Sequence, residues 1–233
     1  VITFTCFFAM FFTGNTSIYS QLIVRDIIYS KSMSSLLPTM LYVLTTTLTV
    51  QLIGAVALYF SVPDSLQFDT EQRIGFAVFH SVSAFCNAGI DIIAENSLCD
   101  YALNPMVNTV TCLLIVIGGI GYIVWWDIIR VIKNIRQNKR KIFGNLTLHS
   151  KIAIISTLLL IIVGAILVFV LEYDNPQTLK DYTLLQKIEV SFFQSVTTRT
   201  AGFATLPQEN LTNATAVVCL FLMFIGGSPV GTA

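Results

Sequence analysis

Runs that contain no Asp, Glu, Lys or Arg divide this chain. The longest lies between Lys31 and Asp64, with its apolar core at Leu36 to Val62. A second lies between Asp100 and Asp127, a third between Lys151 and Glu172, and a fourth follows Glu209. Each reaches about 20 residues, the length at which a helix crosses ~30 Å of hydrocarbon. Val1 to Phe12 reads as the tail of an earlier span, and the chain is expected to be cut at both ends. Two other apolar stretches are too short or too interrupted to cross. Ile74 to Ile90 ends in Asn87, Ala88 and Gly89, and Val190 to Phe203 carries Arg199 and Gly202. Both are predicted to be re-entrant, a short helix dipping in and the chain returning to the same side.

Composition agrees with membrane residence. Hydrophobic residues make up 55% and charged residues 11%, with a mean hydropathy of +0.76; soluble domains carry about 25% charged residues. The formal net charge is zero, which excludes a strongly basic nucleic-acid binder and leaves the distribution of charge as the useful signal. Five cysteines form no CxxC pair, and Cys6, Cys112 and Cys219 lie in apolar runs. They read as small buried residues, not as metal or redox groups.

Arg130, Lys133, Arg136, Lys139, Arg140, Lys141 and Lys151 form a basic stretch free of acids, which the positive-inside rule makes cytoplasmic. The span Tyr101 to Trp126 then runs inward and Ile152 to Leu171 outward. The flanks they leave outside are acidic: Asp91, Glu95 and Asp100, then Glu172, Asp174 and Asp181. Asp64, Asp69 and Glu71 precede Ile74, so Ile74 to Ile90 has acid on both flanks. Re-entry from outside keeps both flanks external. Thr13 to Ser35 becomes a cytoplasmic loop, in which Ile18 to Ile28 is a weak candidate for a surface helix.

The two re-entrant stretches repeat. Asn87-Ala88-Gly89-Ile90 matches Thr200-Ala201-Gly202-Phe203, and the stretches before them, Phe79 to Phe85 and Phe192 to Thr198, are similar. Each is followed by a span with Ile-Gly-Gly, at Ile117 and at Ile225. Parallel repeats about an axis normal to the membrane build a central pathway. A dehydrated cation needs oxygen ligands, and backbone carbonyls of a non-helical loop supply them. Glycine permits the positive φ that turns successive carbonyls towards one axis. The C-terminal end of the short helix favours a cation at the same place.

Ser81 to Gly89 (SVSAFCNAG), Ser195 to Phe203 (SVTTRTAGF) and Phe224 to Ala233 (FIGGSPVGTA) resemble the Trk/Ktr family of potassium-transporter membrane subunits over nearly the whole chain. The resemblance implies an all-α polytopic membrane protein of the cytoplasmic (inner) membrane, built of span, re-entrant pore helix, filter loop and span around a central pore. It implies four such repeats, with the end of repeat one at 1–12, a cytoplasmic loop at 13–35, repeat two at 36–130, a basic cytoplasmic loop at 131–151 and a truncated repeat three at 152–233. The filter residues would be Cys86, Asn87, Ala88, Gly89, Thr200, Ala201 and Gly202. Gly226, Gly227, Ser228, Pro229 and Gly231 would form an intramembrane gating loop. The cargo would be potassium, with a sodium-selective or sodium-coupled relative as the alternative, and no cofactor, no catalytic residue and no resident metal. Partners would be a second copy, a cytoplasmic nucleotide-binding regulatory ring and the bilayer, with no nucleic acid.

Other residues receive plainer readings. Arg199 is expected to turn away from the pore and bond carbonyls or a carboxylate behind the filter, since an unpaired charge at that depth is costly. Lys187 and Glu189 are expected to be solvated. Gly118, Gly119 and Gly121 carry no proline, so the helix Tyr101 to Trp126 is expected to stay continuous, its glycines serving close packing. His80 and Cys86 lie on poorly matched helix faces for a hydrolase pair. An intramembrane enzyme lacks its polar pair, and a scaffold has no use for Gly-bearing re-entrant loops.

Overall fold

The computed structural model describes residues 36–62, 69–92, 97–135 and 145–228. The expected span at 1–12, the loop at 13–35, most of the basic loop, and Pro229 and Gly231 lie outside these residues. Two compact units are present, Val1–Leu52 and Ile53–Ala233. Of the first, only the part of helix α1 up to Leu52 is described.

Helix α1 covers Leu36–Ser61, and the re-entrant helix α2 covers Thr70–Phe85. After a single 3-10 turn, α3 covers Pro105–Ile120 and α4 Tyr122–Ile135. Helix α5 covers Leu148–Glu172, α6 Leu184–Thr197 and α7 Asn213–Ile225. Among the described residues every regular element is helical. α1 and α5 are long and apolar enough to cross a membrane, and α3 with α4 makes a third span if the bent pair is counted as one. The run after Glu209 yields a helix of 13 residues, because the helix stops at Gly226.

Local sequence explains where the elements begin. Asp69 caps α2 and forms a reciprocal box with Gln72; Thr183 and Gln186 do the same for α6. Each box satisfies two backbone N–H groups that would otherwise be orphaned. Asn104 accepts from Met106 N and Val107 N to start α3, with Pro105 in its first turn, a position where a missing N–H does no harm. Thr212 caps α7. These caps also tie the repeat together. Asn104 Nδ2 donates to Ser61 O at 3.2 Å, at the end of α1. Glu172, fully buried at the end of α5, accepts from Thr212 N and Thr212 Oγ1, both at 2.9 Å. Asn175 and Thr178 donate to its other oxygen.

The repeat is visible in the packing too. In each copy a glycine of the first span lies against a serine of the re-entrant helix and a leucine of the second span. Gly54 meets Ser81 and Leu114; Gly164 meets Ser195 and Leu222. No Cβ fits at either place, since one at Gly54 would lie 2.5 Å from Ser81 Oγ. Ser195 Oγ donates to Ile161 O at 2.8 Å, one turn from Gly164.

Two expectations fail. The helix around Gly118 to Gly121 is not continuous: α3 and α4 meet at 92°. Gly121 takes φ 92°, ψ 149°, a conformation open to glycine alone. The carbonyls released at the break are partly recovered, because Trp125 Nε1 donates to Ile117 O at 2.9 Å. Asp127 on α4 accepts from Thr147 N at 2.7 Å, which holds α4 against the start of α5. Lys187 is not solvated but 6% exposed, its ammonium group donating to Tyr173 O at 2.8 Å. Glu189 is half-buried.

Gly164→Val is expected to lower the melting temperature by several degrees, since overpacking a close contact costs about 1–3 kcal/mol. Gly75→Ala, on an exposed stretch of α2 with nothing within 4 Å of the new methyl, is expected to leave melting unchanged or raise it slightly. Thermal unfolding followed by tryptophan fluorescence compares the two.

Candidate functional site

Helices α2 and α6 both end where the chain turns back, and their ends are built alike. Cys86 caps α2 by donating to Val82 O at 2.9 Å, and Ala88 N donates to Ser83 O at 2.9 Å. On α6, Arg199 N donates to Val196 O at 3.3 Å and Ala201 N to Thr197 O at 2.9 Å. A helix hydroxyl then pins each loop from behind. Ser83 Oγ donates to Ile90 O at 2.7 Å and accepts from Ile90 N at 3.0 Å. Thr197 Oγ1 donates to Phe203 O at 2.6 Å.

Between those anchors the backbone is left-handed in both copies. Asn87 has φ 49° and Gly89 φ 63°; Thr200 has φ 83° and Gly202 φ 88°. Positive φ is unfavourable for a β-branched residue, so Thr200 is held there by its surroundings. Asn87 Nδ2 donates to Thr200 Oγ1 at 3.3 Å. The two loops touch backbone to backbone. A Cβ on Gly89 would collide with Ala201 O and lie 2.7 Å from Gly202 Cα, and one on Gly202 would lie 3.2 Å from Gly89 Cα. Among the described residues, the carbonyl oxygens of Asn87, Ala88, Gly89, Thr200, Ala201 and Gly202 accept no hydrogen bond. Six carbonyls on one contact line that accept no hydrogen bond from the described residues have oxygen ligands to offer.

A second irregular segment follows α7. Gly226 leaves the helix at φ 66°, ψ −153°, three residues before Pro229, so the break begins at glycine and not at proline. Ser228 N donates to Gly119 O at 3.2 Å, joining this segment to the end of α3 just before its own break. Arg199 holds the segment from the other side. Its Nε and Nη2 donate to Gly226 O at 3.3 and 3.2 Å, and its Nη1 donates to Thr157 O on α5 at 3.3 Å. Charged donors of this kind contribute about 1.5–3 kcal/mol each, which offsets the cost of placing the guanidinium, 9% exposed, in the interior. A cavity of about 170 Å³ is lined by Thr157, Arg199, Gly226, Gly227 and Ser228 among others. Asn87, Gly119, Arg199 and Gly227 also share a smaller one.

The structure thus brings Asn87, Gly89, Thr200, Ala201 and Gly202 to one contact, with Cys86 as the cap of α2 and Ala88 exposed beside it. It brings Arg199, Gly226, Gly227 and Ser228 to another. Thr157 and Gly119, which complete the second group, carry no local signal beyond a threonine and a glycine in apolar runs. His80 is packed against Phe76 and Phe203, with Nδ1 3.3 Å from Phe76 O.

A family model described as "Cation transport protein", TrkH, matches residues 1–233. The chain belongs to the TrkH family of cation transport proteins. The resemblance to Trk/Ktr membrane subunits is thereby confirmed. Among TrkH-family relatives, the chain is similar to the potassium/sodium uptake protein NtpJ of Enterococcus hirae, 37% identical over 213 residues, 91% of this chain and 44% of that protein. It is similar to the Ktr system potassium uptake protein B of Bacillus subtilis, 31% identical over 232 residues, 100% of this chain and 49% of that protein. The chain therefore spans about half the length of the curated relatives it matches. The crystal structure of the potassium transporter TrkH from Vibrio parahaemolyticus shares its fold, with TM-score 0.65 and 16% identity over 92% of this chain and 43% of that one.

Arg199→Gln is expected to release Gly226 from the guanidinium, since the shorter side chain cannot reach Gly226 O and Thr157 O together. Amide exchange around Gly226 to Ser228 should then quicken by about tenfold, the factor that ~1.4 kcal/mol supports. Mass spectrometry of the deuterated protein checks this, and unchanged exchange would count against the tether.

Proposed function

We propose that this chain is part of the ion-conducting subunit of a potassium-uptake system of the cytoplasmic membrane. The observation that carries the reading is the contact of two left-handed loops, each at the C-terminal end of a re-entrant helix and each with unpaired carbonyls. Cation ligation needs such oxygens in a water-poor setting, contributed by several loops around one axis. The ends of α2 and α6 add the negative pole of a helix. The filter residues are Cys86, Asn87, Ala88 and Gly89 from repeat two and Thr200, Ala201 and Gly202 from repeat three.

Residues 36–130 and 152–233 act as two of the pore repeats, with 131–151 as a basic cytoplasmic connection. Gly226, Gly227, Ser228, Pro229 and Gly231 form the gating loop below the filter, with Arg199 supporting it from behind. A positively charged group facing the pore at filter depth repels cations, and the reading is supported by the guanidinium of Arg199 bonding Gly226 O and Thr157 O and not the loop carbonyls. A second copy and a cytoplasmic nucleotide-binding ring are the partners, a reading supported by the kinship with Ktr proteins. A sodium-carrying variant is the second reading. It is favoured by the similarity to a protein named for both potassium and sodium uptake.

Rubidium and sodium uptake by the full-length protein, in cells lacking their own potassium uptake, tests the proposal. Gly89→Ser and Gly202→Ser are expected to reduce the preference for rubidium over sodium by about tenfold or more, because neither backbone tolerates a Cβ at positive φ. Uptake with an unaltered ion preference in both variants would exclude these loops from the filter.

A further inference from the structure

Two cations that none of the preceding roles uses occupy matching places in the two repeats. Arg73 lies in the first turn of α2. Its Nε donates to Tyr59 O at 3.0 Å and its Nη2 to Val62 O at 2.6 Å, and its guanidinium sits 5.1 Å from the centre of the Tyr59 ring. Lys187 lies in the first turn of α6. Its Nζ donates to Tyr173 O at 2.8 Å and sits 3.9 Å from the centre of the Tyr173 ring. Both pairs are related by 114 positions (73 to 187, 59 to 173), and so are the capping boxes beside them (69 to 183). Arg stands in one copy and Lys in the other. The chemistry is the same although the side chain differs: a cation on the re-entrant helix bonds the last carbonyls of the first span and stacks on its tyrosine.

The last carbonyls of a helix lack partners and form its negative end, so a cation placed there is attracted twice. The aromatic face adds a third attraction. The arrangement joins the foot of each re-entrant helix to the outer end of the first span. The Gly54–Ser81 and Gly164–Ser195 contacts join the same two elements near the other end of the re-entrant helix. Two fixed points define the position of a rod. A helix of 16 residues is about 24 Å long and does not compress along its axis, so movement at its foot carries to the loop at its tip.

The geometry points to Arg73 and Lys187 as positioning residues for the filter, setting the depth at which the Asn87–Gly89 and Thr200–Gly202 loops meet. This inference rests on the transport reading for its meaning, but its test does not depend on transport alone. In the full-length protein, Lys187→Met and Arg73→Met are compared with Lys187→Arg and Arg73→Lys. Amide exchange is read at residues 86–90 and 199–203, and uptake of rubidium against sodium is read in parallel.

The methionine variants are expected to quicken exchange in the filter peptide of their own repeat and to shift the rubidium-to-sodium ratio by about tenfold, the factor one charged hydrogen bond supports. The conservative variants should retain wild-type values. Faster exchange confined to 59–73 or 173–187, with filter exchange and ion ratio unchanged, would reduce the contacts to ordinary helix caps and overturn the inference. Equal damage from Lys187→Arg and Lys187→Met would overturn it as well. If Lys187→Met does not accumulate, the Arg73 pair, at a half-buried site, decides. If the wild type carries neither ion, the transport reading fails, while exchange at 86–90 and 199–203 still decides the positioning role.

Discussion

The constraint behind this structure is that backbone polar groups in an apolar medium must be paired within the protein. Long helices meet it automatically, which is why α1 and α5 run through 26 and 25 residues without interruption. Among the described residues, the glycine breaks in helix differ in how they meet it. At Gly121 it is compensated by Trp125 Nε1 and by the bond from Ser228 N to Gly119 O. At Gly226 it is compensated by the guanidinium of Arg199. At Asn87–Gly89 and Thr200–Gly202 no compensation is visible, and those are the places where oxygen is left for something else.

Much of this was legible in the amino-acid order. The charge-free runs located α1, α3, α5 and α7, although α7 stops after 13 residues, and their acidic flanks marked the re-entrant helices. Asn-Ala-Gly and Thr-Ala-Gly located the loops, because glycine at a recurring place after a short helix has few other uses. Arg199 was legible as a buried cation in need of carbonyl or carboxylate partners, since an unpaired guanidinium at that depth is costly. The identity of those partners was not. Thr157 is 42 positions away from Arg199, and only the packing of α5 on α6 brings it there.

The misreadings share a physical origin. Gly118, Gly119 and Gly121 looked like packing glycines because a helix break was associated with proline. A break needs only a residue that tolerates positive φ and a donor to collect the freed carbonyls, and Trp125 supplies that donor one turn further on. Lys187 looked solvated because lysine usually is. Its burial depends on Tyr173, whose ring and carbonyl meet it only once α5 and α6 are packed. Position along a helix predicts exposure poorly where another helix end covers it.

The two copies differ at one point that matters for how each loop is held. Arg199 follows the re-entrant helix of repeat three at the place where repeat two has Cys86, each standing one residue before the left-handed Thr200 or Asn87. Cysteine cannot reach across to a neighbouring backbone as a guanidinium does. Only the loop after α6 is therefore tied by a guanidinium to the segment that follows α7. The two re-entrant units are thereby inequivalent: a change at residue 199 is felt at Gly226, 27 positions along the chain, through a link that a cysteine at residue 86 does not reproduce.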